Sequence, residues 1–253
     1  MPDLLLFAES LFIWQLVNYA LYPVCDDETP AERGKSSVRS GFSRLIDAGS
    51  RSLAAALLVL AADGFRRTGY LPAAIVFIGS LLLPAVRRRI SAVSLAEFEL
   101  VANALVALLL WFVCVHLHAG TVPLWLPRFN SNRMSALCIC AALFIYAIRG
   151  GSYLVRGILA KAGGMLPPAP VTAESYTHGR LIGQVERAIV ILIVMAGNLQ
   201  ALAFFFAAKG LIRSRELDSR SRVDYLLLGS LSSFLIALAA GLVEQRTMAA
   251  LWK

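Results

Sequence analysis

Long apolar runs recur along the whole chain, and they constrain its fold more than any other feature. Crossing about 30 Å of hydrocarbon takes roughly 20 helical residues, and a lone strand cannot satisfy its backbone hydrogen bonds in lipid. Only 16% of the residues are charged, well below the roughly 25% typical of a soluble domain. The sequence therefore predicts an all-α, polytopic transmembrane bundle of six or seven spans. It argues against a soluble enzyme, a disordered chain and a nucleic-acid-binding domain.

Four spans are well defined by the length of the apolar run, and Gly or Pro residues end the first and the fourth of the predicted spans. They are predicted at residues 4–22, 98–118, 182–208 and 225–243. The second, third and fifth spans are shorter and are predicted at 53–62, 71–86 and 134–148. If the second span starts at Leu45 instead, it includes Asp47 and Arg51, which are four residues apart on one helical face and can neutralise each other. Basic and apolar residues alternate over 149–161, which predicts an interfacial helix after the fifth span.

A Gly- and Pro-rich run from Gly163 to Pro170 cannot continue a helix and is the clearest break in the chain. It divides the sequence into three predicted parts. These are an N-terminal transmembrane module over 1–162, a linker over 163–178 and a C-terminal transmembrane helical hairpin over 179–253.

The chain has a net charge of +8, and most of its 24 Lys and Arg fall between apolar runs. In a membrane protein this is the positive-inside pattern, in which basic loops also attract anionic lipids. The expected partner is thus the lipid bilayer and not a nucleic acid. With seven spans, 14 Lys and Arg lie on one side and 9 on the other, which favours an outside N-terminus and a cytoplasmic C-terminus. The basic loop from Lys209 to Arg222 conflicts with this orientation. One of the predicted spans is therefore a candidate for a helix that does not cross the membrane.

Glu186 and Arg187 lie within the predicted sixth span, where an ionisable side chain is costly and needs a partner. Adjacent helical residues point about 100° apart, so each is expected to pair with another segment. Candidate partners are Arg44, Arg51 and Arg87–Arg89 for Glu186, and Asp47, Asp63, Glu97 and Glu99 for Arg187. Together with Asn198 and Lys209, the two residues form a predicted set of polar intramembrane anchors. A role in locking helices together is favoured over a ligand or ion site, and catalysis is least favoured.

Small residues recur at helical spacing on the last two predicted spans, which predicts close helix packing. They are Gly183, Gly197 and Ala201 in the sixth span and Gly229, Ser233, Ala237 and Gly241 in the seventh. Packing of these spans within one chain is favoured over a homo-oligomer interface.

Polar residues also share faces on two other predicted spans. They are Gln15, Asn18 and Tyr22 on the first span and Glu99 and Asn103 on the fourth. These groups are expected to face the bundle interior and to hydrogen-bond between helices, in preference to lining a solute path.

No motif indicates a reaction, a metal or a cofactor. Cys114, His116 and His118 are spaced by two residues, as are Cys138 and Cys140, whereas chelation from one helix needs ligands three or four apart. The four cysteines are too few for a disulfide framework and are expected to be free thiols. We therefore assign no catalytic residue, no metal ligand and no cofactor from the sequence.

The stretch from Gly179 to Arg187 reads Gly-Arg-Leu-Ile-Gly-Gln-Val-Glu-Arg, and Gly197, Ala207-Ala208-Lys209 and Arg213 follow it. This pattern, with the Gly- and Ser-bearing last span, resembles the C-terminal half of a family of bacterial integral membrane proteins known only as a domain of unknown function. The resemblance covers about residues 179–243. It implies that four residues act together, and it implies no reaction. They are Gly183, Glu186, Arg187 and Lys209.

These features favour a non-enzymatic, multi-pass protein of the bacterial inner membrane that acts as a scaffold or membrane partner of other proteins. The alternatives are a small-solute or ion transporter or oligomeric pore, and an intramembrane lipid-modifying enzyme. Transport predicts that the polar groups of the first, fourth and sixth spans converge on a water-accessible cavity, whereas a scaffold predicts that they pair with one another. An enzyme needs titratable groups that converge on a lipid-accessible groove.

Overall fold

The computed structural model describes residues 2–21, 41–65, 67–87, 89–117, 131–162, 173–213 and 220–251. All regular secondary structure in these ranges is helical, so the predicted all-α class is confirmed. Five described helices are long and apolar enough to cross a membrane. They are Leu4–Leu21, Arg67–Arg87, Leu95–Val115, Asn132–Lys161 and Leu227–Leu251. The chain is therefore a helical membrane protein.

The first four helices follow the predicted apolar runs. Helix α1 comprises Pro2–Gln15 and continues as a π-helical segment, Leu16–Leu21. Helix α2 comprises Gly41–Ala62, which agrees with the longer of the two predicted alternatives. Helices α3 and α4 comprise Tyr70–Arg87 and Leu95–Leu117. Helix α2 has 22 residues, which is long enough to cross a membrane.

The predicted interfacial helix over 149–161 is wrong. Helix α5, Ser131–Ile145, runs through a π-helical segment, Tyr146–Gly150, directly into α6, Gly151–Lys161. The apolar stretch from Asn132 to Lys161 is thus one span of 30 residues. The alternating pattern of α6 has another cause, because its small and apolar residues form a face that is buried in the protein.

The predicted sixth span is not a single helix. Helix α7, Ala173–Met195, and helix α8, Leu199–Arg213, are separated by a turn at residues 196–198. Gly197 has a φ of +70°, a left-handed conformation that Gly adopts without steric cost. Asn198 caps α8, because its Oδ1 accepts a hydrogen bond from the backbone N–H of Ala201 at 3.2 Å. An uninterrupted apolar run therefore contains a complete helix stop and helix start.

Helices α7 and α8 fold back on each other as a hairpin. Lys209 Nζ lies 2.6 Å from Glu186 Oε2, although an uninterrupted helix would hold these residues about 35 Å apart. Both ends of the hairpin thus lie on the same side of its turn. The last helix, α9, comprises Arg220–Leu251.

The chain divides into two compact units. The N-terminal unit consists of Met1–Ile90, Leu100–Ile145 and Thr247–Lys253, and the C-terminal unit of Ser91–Glu99 and Tyr146–Arg246. This division differs from the predicted one at the linker, because the long helix from Asn132 to Lys161 contributes to both units. Helix α7 also starts within the predicted linker, and residues 163–172 lie outside the described ranges.

Each unit has its own packed interior. In the N-terminal unit α1 packs against α2, α3 and α5, and its buried side chains include Trp14, Val59 and Val76. In the C-terminal unit α7 packs against α8, α6 and the Tyr146–Gly150 segment.

Candidate functional site

Arg187 is the centre of the candidate site in the C-terminal unit. It is only 3% exposed, and its guanidinium donates hydrogen bonds to two other helical segments. Nη1 donates to Ser233 Oγ at 3.0 Å, and Nη2 donates to the Ile148 carbonyl oxygen at 2.6 Å and to Ser152 Oγ at 2.7 Å. One side chain thus joins α7 to α9 and to the junction of α5 and α6.

The local fold at this junction makes room for the guanidinium. Ile148 belongs to the π-helical segment, where the regular α-helical hydrogen-bond ladder is interrupted and a carbonyl can accept from elsewhere. Gly151 follows this segment, and a Cβ placed there would lie 3.2 Å from Arg187 Nε. The absence of a side chain at Gly151 therefore allows the arginine to approach the helix backbone closely.

The predicted partners of Glu186 and Arg187 are wrong. The described hydrogen-bond partners of Arg187 are three neutral oxygens, and none of Asp47, Asp63, Glu97 and Glu99 is among them. Glu186 pairs with Lys209, not with Arg44, Arg51 or a residue of Arg87–Arg89. The error for Glu186 has a physical cause, because a continuous sixth span would have placed Lys209 out of reach. The Gly197-Asn198 pair in the sequence is the signal that could have revealed the hairpin.

The Glu186–Lys209 ion pair closes the open end of the hairpin. Its side chains are largely covered, with 20% of Glu186 and 16% of Lys209 exposed. A second ion pair in the same unit, between Glu97 and Lys161, is far more open, with 65% and 43% exposed. Because exposed pairs contribute little to stability, only the first pair is expected to matter for the fold.

Several predicted packing residues lie where α7 and α9 meet. A Cβ at Gly241 would lie 2.9 Å from Val194 Cβ, and Ala237 is fully buried. Ser233 receives the Arg187 hydrogen bond. Gly183 and Gly229 have looser surroundings, with no described atom nearer than 3.7 Å to the position of a Cβ.

The remaining predicted residues lie at the turn of the hairpin. Gly197 forms the turn itself, Asn198 caps α8, and Ala201 donates its backbone N–H to the Asn198 cap. Asn198 is exposed, so among the predicted polar anchors it differs from the largely buried Glu186, Arg187 and Lys209.

A small, half-open crevice lies beside these groups. Polar residues line one part of it, namely Glu186, Arg187, Lys209, Ser230 and Ser233. Apolar residues line the rest, namely Val190, Phe205, Phe206, Phe234 and Ala237. The Phe206 and Phe234 rings pack edge to face with centroids 4.2 Å apart, which joins α8 to α9. The crevice is therefore amphipathic.

The N-terminal unit contains a separate, mostly neutral polar cluster around Asn103 of α4. Asn103 Oδ1 accepts hydrogen bonds from Trp14 Nε1 at 3.2 Å and from Gln15 Nε2 at 3.1 Å. Asn103 Nδ2 donates to Tyr19 Oη at 2.7 Å. The predicted residues Gln15 and Asn103 thus meet directly.

Asn18 extends this cluster to α3. Its Nδ2 donates to Ser80 Oγ and to the Trp14 carbonyl oxygen, each at 2.9 Å. Arg87 Nη2 donates to Tyr19 Oη at 3.3 Å, and its guanidinium also lies over the Tyr19 ring. The sequence reasoning missed Trp14, Tyr19 and Ser80, whose polar atoms could have been recognised as partners for neighbouring amides. Tyr22 lies outside the described residues.

Within the described ranges, no group of three or more His, Cys, Asp and Glu side chains is arranged to hold a metal ion. Cys114, Cys138 and Cys140 are free thiols. Cys25 and His118 lie outside those ranges.

No family model matches the chain, and no curated protein or solved structure is significantly similar to it. The resemblance over residues 179–243 therefore stays a prediction.

Proposed function

We propose that this chain is a non-enzymatic, multi-pass protein of the bacterial inner membrane that acts as a scaffold or membrane partner of other proteins. One observation carries the proposal: several buried polar groups form hydrogen bonds with one another inside each unit. Gln15, Asn18 and Asn103 bond within one cluster, and Arg187 bonds to oxygens of neighbouring helices. A solute path instead needs polar groups that face a water-filled space.

The hairpin also supports a defined orientation. Because α7 and α8 return the chain to its starting side, the basic loop from Lys209 to Arg222 lies with residues 149–181. If α2 crosses, 15 of the 24 Lys and Arg then lie on one side and 6 on the other, with Arg149 and Arg156 inside the long α5–α6 span and Arg187 inside the hairpin. The basic side is cytoplasmic by the positive-inside rule. Both termini are then outside, which replaces the expectation of a cytoplasmic C-terminus.

Native mass spectrometry of the protein, gently extracted from its own membrane, tests the scaffold role. We expect a second protein in fixed stoichiometry with the chain. Mixing the membranes with isotope-labelled membranes from cells without the chain provides the control, because a partner bound before lysis carries no label. A bare monomer or homo-oligomer that retains a small solute would contradict the proposal.

Transport is the second candidate, and the hairpin turn favours it. Interrupted helices mark ion and substrate sites in many transporters, and residues 196–200 around the Gly197 turn are exposed. A transporter would show ion or solute flux in proteoliposomes that changes in Glu186→Gln. The scaffold proposal predicts no flux above that of protein-free vesicles.

A further inference from the structure

The crevice between α8 and α9 has the chemistry of a site for a charged amphiphile. We propose that it binds an anionic phospholipid, with the phosphate at Lys209 and Ser233 and an acyl chain along the phenylalanines. This proposal does not depend on the scaffold role, because a scaffold and a transporter could both retain such a lipid.

Hydrogen-bond donors outnumber acceptors on the polar part of the crevice. The Lys209 ammonium has three N–H donors, and Glu186 Oε2 accepts one of them. The other two have no acceptor among the described residues. Ser233 Oγ accepts from Arg187, which leaves its hydroxyl proton to donate. The second carboxylate oxygen of Glu186 is the acceptor on this side, so a ligand rich in acceptor oxygens fits the excess of donors.

The formal charges agree with this excess of hydrogen-bond donors. Arg187 and Lys209 each carry one positive charge and Glu186 carries one negative charge, so the group has a net charge of +1. An uncompensated charge is costly in surroundings of low polarity. A lipid phosphodiester carries a single negative charge, which would neutralise the group. The Glu186 carboxylate does not prevent this, since Lys209 already neutralises it.

The apolar part of the crevice favours a lipid over a free phosphate ion. Phe205, Phe206 and Phe234 lie beside the charged group and offer a surface for a hydrocarbon chain. Inorganic phosphate would leave that surface uncovered. The crevice is also partly open, as a site entered from the bilayer must be.

The purified full-length protein in detergent, incubated with equal amounts of phosphatidylglycerol and zwitterionic phosphatidylcholine, provides the test. Native mass spectrometry would count the lipids that the protein retains. We expect at least a tenfold preference for phosphatidylglycerol. Lys209→Met should bring the preference close to parity. Lys161→Met is the matched control, since Lys161 also forms an ion pair in this unit but an exposed one, and it should keep the preference.

Further Lys209 variants and a competition with inorganic phosphate distinguish the possible outcomes. Lys209→Arg should retain the preference because it keeps the charge, and Lys209→Gln can replace the methionine variant if that variant does not fold. Millimolar inorganic phosphate should leave the bound lipid in place, and displacement would assign the site to free phosphate and overturn the lipid proposal. Equal retention of the two lipids by the wild type, or an unchanged preference in a folded Lys209→Met or Lys209→Gln variant, would also overturn it.

Discussion

The two units place polar groups among apolar helices in different ways. Around Asn103, the N-terminal unit relies mainly on amides, hydroxyls and an indole, and the donors meet neutral acceptors at 2.7 to 3.2 Å. The C-terminal unit instead buries Arg187 and pairs Glu186 with Lys209. Neutral groups can form such a cluster with little desolvation penalty, whereas buried charges require compensating partners. The comparison indicates that charged groups have the larger part in the polar cluster of the C-terminal unit.

The units share one structural feature, because a π-helical segment lies at each polar cluster. Leu16–Leu21 contains Asn18 and Tyr19, and Tyr146–Gly150 contains the Ile148 carbonyl that accepts from Arg187. Such segments interrupt the regular hydrogen-bond ladder and often occur at functional sites. The same local distortion thus serves a mostly neutral network in one unit and a cluster centred on a buried cation in the other.

The largest effect is expected for Arg187→Ala. This change removes three hydrogen bonds from a charged donor and leaves a void between α7, α9 and the α5–α6 junction, so the free energy of unfolding should fall by about 2 to 4 kcal/mol. Denaturant titration of the purified protein measures it. Arg187→Lys keeps the charge but not the fork of donors and should give an intermediate loss. Wild-type stability in Arg187→Ala would contradict the locking role.

In the N-terminal unit, Asn103→Leu should lower the unfolding free energy by about 2 to 3 kcal/mol, because Trp14, Gln15 and Tyr19 each lose a partner. Leu105→Ala, on the exposed face of the same helix, is the control and should change stability by less than about 0.5 kcal/mol. Equal effects of the two changes would show that the neutral cluster does not stabilise this unit.

Two glycines of the C-terminal unit test whether a small residue is needed because a neighbouring helix packs closely against it. Gly241→Ala should destabilise the protein by about 1 to 3 kcal/mol, since the new Cβ would lie only 2.9 Å from Val194 Cβ. At Gly183 the nearest described atom would be 3.7 Å away, so Gly183→Ala should be neutral or slightly stabilising. Thermal unfolding of both variants tests the difference, and a reversed order would refute the proposed contact.

The smallest effect is expected from the two ion pairs of the C-terminal unit. A double-mutant cycle on Glu186 and Lys209 should give a coupling energy of about 1 kcal/mol after allowance for their partial exposure. The same cycle on Glu97 and Lys161 should give less than about 0.5 kcal/mol, because that pair is exposed. Unfolding titrations of the single and double variants measure both couplings. Equal coupling energies would show that the difference in burial does not affect the strength of the two ion pairs.

Apolar runs predict the fold class and most helices because hydrophobic length alone decides which segments can cross a bilayer. The small residues of α9 also indicate its packing face, since their spacing is local information. The break at Gly197 was missed because the residues around it keep the run apolar. The partners of Arg187 were missed because they include a backbone carbonyl, which no side-chain pattern reveals.

The hairpin formed by α7 and α8 is the central claim, and labelling of single cysteines tests it most directly. In a chain whose four native cysteines are replaced, Thr172→Cys and Ser214→Cys flank the hairpin, and Lys253→Cys reports the C-terminus. A membrane-impermeant maleimide added to intact cells with a permeabilised outer membrane should label only position 253, and positions 172 and 214 should react only after lysis. Labelling of positions 172 and 214 from opposite sides of the membrane would contradict the hairpin.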